Sequence, residues 1–119
     1  MKKDKGTLLK LKNELASMLN QVLPGYIRLV DVLARSKYNM GAVELLLESP
    51  SKLFYLLKEY YGDEISAEYA FYEVFLRPLA QLLGYRINEY EFMEMIKAGK
   101  DREALMKIIK LYISVHREA

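Results

Sequence analysis

The sequence predicts an all-α fold, a compact bundle of six or seven helices around a central apolar helix at about residues 65–83. Apolar residues recur three or four positions apart along nearly the whole chain, and no segment alternates between apolar and polar residues as a strand does. Of the 119 residues, 52% are hydrophobic and 29% are charged, which is typical of a chain that folds around one core. We expect a basic N-terminal tail at 1–6 and a single helical domain at 7–117.

The first three helices are separated by proline, glycine and polar residues. The first helix is predicted at about 7–22 and ends before Pro24 and Gly25, because proline lacks a backbone donor and glycine favours a turn. The second helix is predicted at about 26–36 and a short third helix at 42–47. One face of the first helix is apolar and consists of Leu8, Leu11, Leu15, Met18, Leu19 and Val22.

The fourth helix has clear signals at both ends. Ser49 is a good capping residue and Pro50 suits the first helical position, where its missing N–H costs nothing. Gly62 favours the left-handed conformation that ends a helix. We therefore predict a helix from Pro50 to Tyr61.

The fifth helix is the most apolar segment of the chain. We predict that Ser66 caps it and that it continues to Leu83, with only five polar residues among the 19 from Ile65. A helix that is apolar on nearly all sides belongs in the middle of a domain. Pro78 lies inside it and is expected to kink it, because the bond to the carbonyl of Val74 is lost.

The last two helices follow capping residues. Asn88, with Glu91 three positions later, predicts the start of the sixth helix, which ends near Gly99. Asp101 is expected to cap the seventh helix. Its inward face is predicted to consist of Leu105, Ile108, Ile109, Tyr112 and Val115.

The residues that usually carry catalysis are scarce. The chain has no cysteine and one histidine, His116, and it contains neither a nucleophile motif nor a glycine-rich phosphate loop. Its carboxylates occur in pairs on helix faces without metal-ligand spacing, so solvated surface explains them best. We therefore expect no enzyme activity, no catalytic residue, no cofactor and no metal site.

The composition also bears on the surroundings of the protein. No apolar run is long enough to span a membrane, and lysines interrupt the apolar residues near the start, so we expect a cytoplasmic protein. Threonine, glutamine, cysteine and tryptophan are rare or absent, whereas lysine, glutamate and leucine are frequent. That bias is typical of thermostable proteins from hot organisms.

Tyrosines suggest a surface for a protein partner. Between Phe54 and Phe92 lie 11 of the 14 aromatic residues. Packing in the core and at its rim is one explanation, and an interface is the other, because tyrosine is enriched where proteins meet. The candidate partner surface consists of Tyr55, Tyr60, Tyr61, Tyr85 and Tyr90.

Charge leaves a nucleic-acid alternative open. The net charge of +2 is too small to indicate a polyanion partner. However, residues at about 90–110 have the pattern of a helix-turn-helix pair, in which Arg102, Lys107 and Lys110 could contact phosphates. Such pairs are also common in helical proteins without that function, so this reading is the alternative.

Self-association is a further possibility. The first and seventh helices both carry apolar residues at alternating spacings of three and four, the pattern of a helix-packing seam. The net charge is +5 in residues 1–43, −6 in 44–96 and +3 in 97–119. Both features would suit a homodimer, or they could be satisfied inside one chain if the two helices pack over the acidic centre. We favour internal cancellation of the charges.

One stretch resembles a known family. Residues 48–62, Glu-Ser-Pro-Ser-Lys-Leu-Phe-Tyr-Leu-Leu-Lys-Glu-Tyr-Tyr-Gly, are followed by an apolar helix that ends in Leu82-Leu83-Gly84. Over roughly 14–84 this pattern resembles the archaeal Nitrosopumilus output domain family. The chain lacks that family's Gly-Ala start of the long helix and adds 85–119. The resemblance implies a small helical accessory, output or partner-binding module without catalytic residues.

Overall fold

The computed structural model describes the backbone of residues 2–118 and the side chains of residues 6–116. Within that part the chain forms seven helices and no strand, which confirms the predicted all-α bundle. The fifth helix is continuous but changes its winding, with α-helical turns at both ends and a π-helical segment between them. The helices are α1 (Lys2–Val22), α2 (Pro24–Tyr38), α3 (Ala42–Glu48), α4 (Pro50–Tyr61), α5 (Glu64–Ala70, Phe71–Leu76 and Arg77–Leu82), α6 (Glu89–Lys97) and α7 (Asp101–Glu118).

The second half of α5 is the central element of the core. The side chains of Phe71, Phe75 and Leu79 are fully buried, and α1 packs against the last turns of α5, Arg77–Leu82, whereas α4 packs against its first turns, Glu64–Ala70. The first half differs, because Ile65 is 80% exposed and Tyr69 is 70% exposed. There only the small Ala67 and Ala70 are buried, so the first two turns contribute to the core only the narrow face that packs against α4.

The helix accommodates Pro78 with π-helical turns. The segment Phe71–Leu76 is π-helical, and the N–H of Arg77 donates to the carbonyl of Tyr72, five residues earlier. Pro78 has no N–H to donate, and in a regular helix its ring would crowd the carbonyl of Val74. A wider turn immediately before Pro78 changes the pairing there, which allows α5 to continue to Leu82.

Three helix starts differ from the predicted caps. The cap of α5 is Asp63, whose carboxylate accepts hydrogen bonds from the N–H and the hydroxyl of Ser66 at 2.7 and 2.9 Å. Asp101, predicted to cap the last helix, is instead its first residue. The carboxylate of Asp101 accepts from the N–H and the hydroxyl of Ser51 at 3.0 and 2.6 Å. It therefore caps α4, which receives no cap bond from the side chain of Ser49.

We predict that Asp101→Ala destabilises the protein by about 1–2 kcal/mol, because the start of α4 loses its cap and its link to α7. The matched control is Glu103→Ala, which removes an exposed carboxylate from the same helical turn. Urea denaturation of both variants measures the difference. Equal stability of the two variants would contradict the capping role of Asp101.

The start of the chain also differs from the prediction. Residues 2–6, expected as a tail, belong to α1. Lysine has a good helix propensity, which favours the extra turn. Met1 lies outside the described residues.

Both predicted helix-packing seams lie within the chain. Leu11 and Leu15 of α1 are fully buried, as is Ile108 of α7, and α1 packs against α7. These residues therefore offer no free seam to a second copy. The last apolar residue of the α1 stripe is an exception, because Val22 is 61% exposed. Val22 is the last residue of α1.

Ion pairs join the segments of opposite net charge. Lys12 of α1 lies 3.0 Å from Glu48, and Lys37 of α2 lies 2.6 Å from Glu59. Lys97 pairs with Glu68 across α6 and α5. Folding therefore brings Lys12, Lys37 and Lys97 next to carboxylates of the acidic middle, but none of these three ion pairs comes from the last helix, which the prediction expected to take part.

Candidate functional site

A cleft of about 620 Å³ lies between the end of α1 and the π-helical part of α5. We call it the α1–α5 cleft. Its volume is within the range of small-ligand sites, and the cleft is open to solvent. Its walls come from α1, the residue that follows it, α5, the α5–α6 loop and the start of α6. The lining residues are Met18, Val22, Leu23, Glu73, Val74, Arg77, Pro78, Gln81, Tyr85 and Glu89.

Large apolar side chains are exposed around this cleft. Val22 is 61% exposed and Leu23 is 44% exposed, whereas Pro78 is buried beneath them. Leu23 occupies the position before the first residue of α2, where a polar side chain usually caps the helix. Its aliphatic side chain can neither donate nor accept a hydrogen bond, so it has no capping function at this junction. The junction of α1 and α2 thus holds two aliphatic side chains in water beside an apolar floor.

Tyr85 stands at the cleft in a strained backbone conformation. Its φ angle is +58°, directly after Gly84 at +65°. Glycine adopts that region without penalty, but a tyrosine pays a steric cost of about 1–2 kcal/mol there. The N–H of Tyr85 donates to the carbonyl of Ala80 at 2.8 Å, which closes the end of α5. The ring is 71% exposed, so the turn holds an aromatic side chain in solvent beside the cleft.

The charged groups of the cleft leave one carboxylate without an ion pair. Arg77 lies 3.1 Å from Glu73, one turn earlier on α5. Glu89 makes no ion pair within the described part of the chain. It is the first residue of α6, where the helix dipole favours a negative charge. The cleft therefore combines apolar walls with an available negative charge.

The five tyrosines predicted as a partner surface are all exposed but lie in different places. Tyr55, Tyr60 and Tyr61 belong to α4, and the rings of Tyr60 and Tyr61 are 5.1 Å apart. Tyr85 lines the α1–α5 cleft. Tyr90 lines a second cavity of about 290 Å³.

That second cavity is built around an ion pair. Lys97 lies between Glu68 and Glu64, and the bond to Glu68 raises the pKa of Lys97. Burial is the main reason that the pKa of Tyr72, on the cavity wall, is also raised. The two carboxylates are thus occupied by a lysine, which explains why this pair of acidic residues shares a helix face.

The three predicted phosphate contacts lie on α7. Arg102 and Lys110 are exposed and Lys107 is half-buried. None of the three makes an ion pair within the described residues. The sequence prediction also placed Ile109 on the inward face, but Ile109 lines a shallow surface groove together with Met106, Lys107, Lys110 and Ile113. The buried face of α7 consists of Ala104, Ile108 and Tyr112.

The remaining polar candidates have structural partners. The Nδ1 atom of His116 lies 3.0 Å from the carbonyl oxygen of Tyr112, and its Nε2 lies 3.8 Å from Glu14. Among the described residues, no three His, Asp or Glu side chains come together as a metal site would require.

Comparisons with known proteins identify no relative of this chain. No family model, no curated protein and no solved structure matches the chain. Within the described residues, no helix has the length and the apolar character needed to cross a bilayer.

Proposed function

We propose that this protein is a non-enzymatic interaction module that binds another protein through the α1–α5 cleft. The observation that carries the proposal is the exposure of Val22, Leu23 and Tyr85 around an apolar floor. Contiguous exposed apolar side chains with a polar rim are typical of protein-binding sites. The resemblance to the Nitrosopumilus output domain family favours the same class of role, and the proposal includes a cytoplasmic location.

The local backbone supports this assignment. Strained residues and π-helical turns occur preferentially at functional sites, and both are found here, at Tyr85 and at Phe71–Leu76. The partner chemistry follows from the lining. An aliphatic or aromatic side chain would fill the space above Pro78, and a neighbouring lysine or arginine would pair with Glu89.

We expect a library of short random peptides, displayed on phage and selected against the protein, to yield sequences that combine an apolar anchor with a basic residue. Those peptides should bind Val22→Glu at least about tenfold more weakly than the parent, because the new carboxylate must be desolvated at the interface. Fluorescence anisotropy with the synthetic peptides measures the affinities.

The matched control is Val32→Glu, since Val32 is 60% exposed and lies on α2 outside the cleft. It should bind the selected peptides as the parent does. Circular dichroism of both variants verifies that helicity is retained. If every selected peptide bound Val22→Glu as tightly as the parent, the cleft would not be the binding site.

The nucleic-acid alternative has less support from the geometry. The cations Arg102 and Lys110 favour phosphate binding, but the groove beside the basic residues is lined by Met106, Ile109 and Ile113. Apolar side chains in a row do not contribute to phosphate binding.

A further inference from the structure

The outer face of α7 carries an apolar stripe that is only partly covered and does not pack against the core within the described residues. Met106, Ile109 and Ile113 follow one another at spacings of three and four, so they lie on one side of the helix. Met106 is 61% exposed, and the two isoleucines are half-buried. Together with Lys107 and Lys110 they line a surface depression to which α7 alone contributes side chains. We call it the α7 groove.

This stripe is additional to the apolar face that holds α7 in the fold. Ala104 and Ile108 are fully buried and Tyr112 is 2% exposed, and through these residues α7 packs against α1, α3 and α6. Attachment to the bundle therefore does not require Met106, Ile109 or Ile113. A second apolar face on a helix is typical of contact with another surface.

The groove is flanked by cations that the rest of the chain does not neutralise. Lys107 and Lys110 make no ion pair within the described residues, and neither does Arg102 one turn before Met106. Other cations of the described residues, such as Lys10 and Lys100, also lack an ion pair, but only Lys107 and Lys110 lie beside this apolar stripe. The α7 groove thus presents apolar contact area with unpaired positive charge, and the complementary surface is apolar with negative charge.

We propose that the α7 groove binds an acidic amphipathic helix of another protein. The stripe extends over two turns, about 10 Å, which suits a second helix that packs alongside α7 with apolar residues at spacings of three and four. Glutamates or aspartates beside that partner's apolar face would pair with Lys107 and Lys110. This proposal does not depend on the α1–α5 cleft.

A second copy of the chain fits the groove less well. A twofold axis at the middle of the stripe would bring identical surfaces together. Because Lys110 is adjacent to Ile109 at that point, it would lie close to Lys110 of the other copy. Like charges facing each other across an interface oppose association, whereas an acidic partner neutralises them.

The test uses two synthetic helical peptides of about 18 residues, long enough to form helix in water. Both carry leucines on one face, and one has glutamates beside that face where the other has lysines. We expect the acidic peptide to bind the full-length protein and the basic peptide not to bind. Met106→Glu and Lys110→Glu should each weaken the acidic peptide about tenfold, as measured by fluorescence anisotropy.

Two matched variants serve as controls. Ile65→Glu places a charge on an 80% exposed apolar residue of α5, and Lys10→Glu reverses an exposed cation on α1. Both should bind the acidic peptide as the parent does. Met106 is exposed, so its variant is expected to fold, which circular dichroism verifies.

Three results would overturn the proposal. The first is an acidic peptide that does not bind, or that binds Met106→Glu as tightly as the parent. The second is binding of phosphatidylglycerol vesicles that is lost in Met106→Glu, which would assign the groove to a membrane surface. The third is duplex DNA binding that is lost in Lys110→Glu and retained in Met106→Glu, which would assign the cations to phosphates.

Discussion

Truncating Phe75 or Leu79 to alanine is expected to lower the free energy of unfolding by about 2–5 kcal/mol. Both side chains are fully buried in the second half of α5, so each truncation removes apolar contacts and leaves a cavity that the surrounding helices fill only in part. A domain of this size is typically stable by about 5–15 kcal/mol. Either variant should therefore lose a large fraction of its stability.

Tyr69→Ala is the matched control for this prediction. It truncates an aromatic residue of the same helix, but that residue is 70% exposed, so we expect a change below about 1 kcal/mol. Urea denaturation followed by circular dichroism compares the three variants with the parent. Parent-like stability of both Phe75→Ala and Leu79→Ala would show that α5 is not the centre of the core.

Helix boundaries with local causes could be predicted from the sequence. Gly62 has a φ of +83° at the end of α4, and the side chain of Asn88 accepts from the N–H of Glu91 at the start of α6. Both depend on residues within one turn of each other. Pro50 likewise stands at the first position of α4, where its own ring determines φ.

The caps that were predicted wrongly depend on competition or on distant residues. Asp63 and Ser66 are both good caps, and the sequence does not say which of them wins. Asp101 reaches Ser51, which is 50 positions away in the chain. No local pattern contains that contact, because it requires the packing of α4 against the start of α7.

Periodicity indicates which residues share a helix face, but it does not indicate what covers that face. Val22 continues the apolar stripe of α1, yet it is 61% exposed on the wall of the α1–α5 cleft. The sequence pattern places Ile109 on the inward face together with its buried neighbour Ile108, but Ile109 lies in a surface groove. Both candidate binding surfaces therefore consist partly of residues that the sequence assigns to the core.

The α1–α5 cleft illustrates a second limit. The sequence singles out Tyr85 only as one of several tyrosines, because its positive φ is visible only in the folded loop. Leu23 and Val74 carry no signal at all and are brought together with Tyr85 by the packing of α1 on α5. A local clue existed in Pro78, which predicted an irregularity in α5 at this position.

Alkaline pH is expected to destabilise the protein through two tyrosines. The hydroxyl of Tyr112 donates to the Oε1 atom of Glu14 at 2.6 Å and joins α7 to α1. Burial raises the pKa of Tyr112 well above its usual value, and the hydrogen bond and the charge of Glu14 raise it further. The pKa of Tyr26 is raised by burial and then by its hydrogen bond with Tyr61.

The direction of the pH effect follows from these raised pKa values. The folded protein keeps the phenols of Tyr112 and Tyr26 protonated, whereas in the unfolded chain they lose their protons near pH 10. Their contribution to stability is therefore fully present below about pH 10 and decreases as the pH rises toward the folded pKa. The decrease is about 1.4 kcal/mol per pH unit for each tyrosine that remains protonated only in the folded state.

Urea denaturation between pH 8 and pH 11 measures this dependence, and Tyr112→Phe isolates the contribution of one phenol. We expect this variant to lose stability less steeply above about pH 10 than the parent, by roughly one proton in the linkage slope. The paired lysines Lys37 and Lys97, whose pKa values are also raised, titrate in both proteins and cancel in the comparison. The matched control is Tyr69→Phe, which removes the hydroxyl of a tyrosine that is 70% exposed. An identical slope in Tyr112→Phe and the parent would mean that the bond between Tyr112 and Glu14 does not favour the neutral phenol in the folded protein.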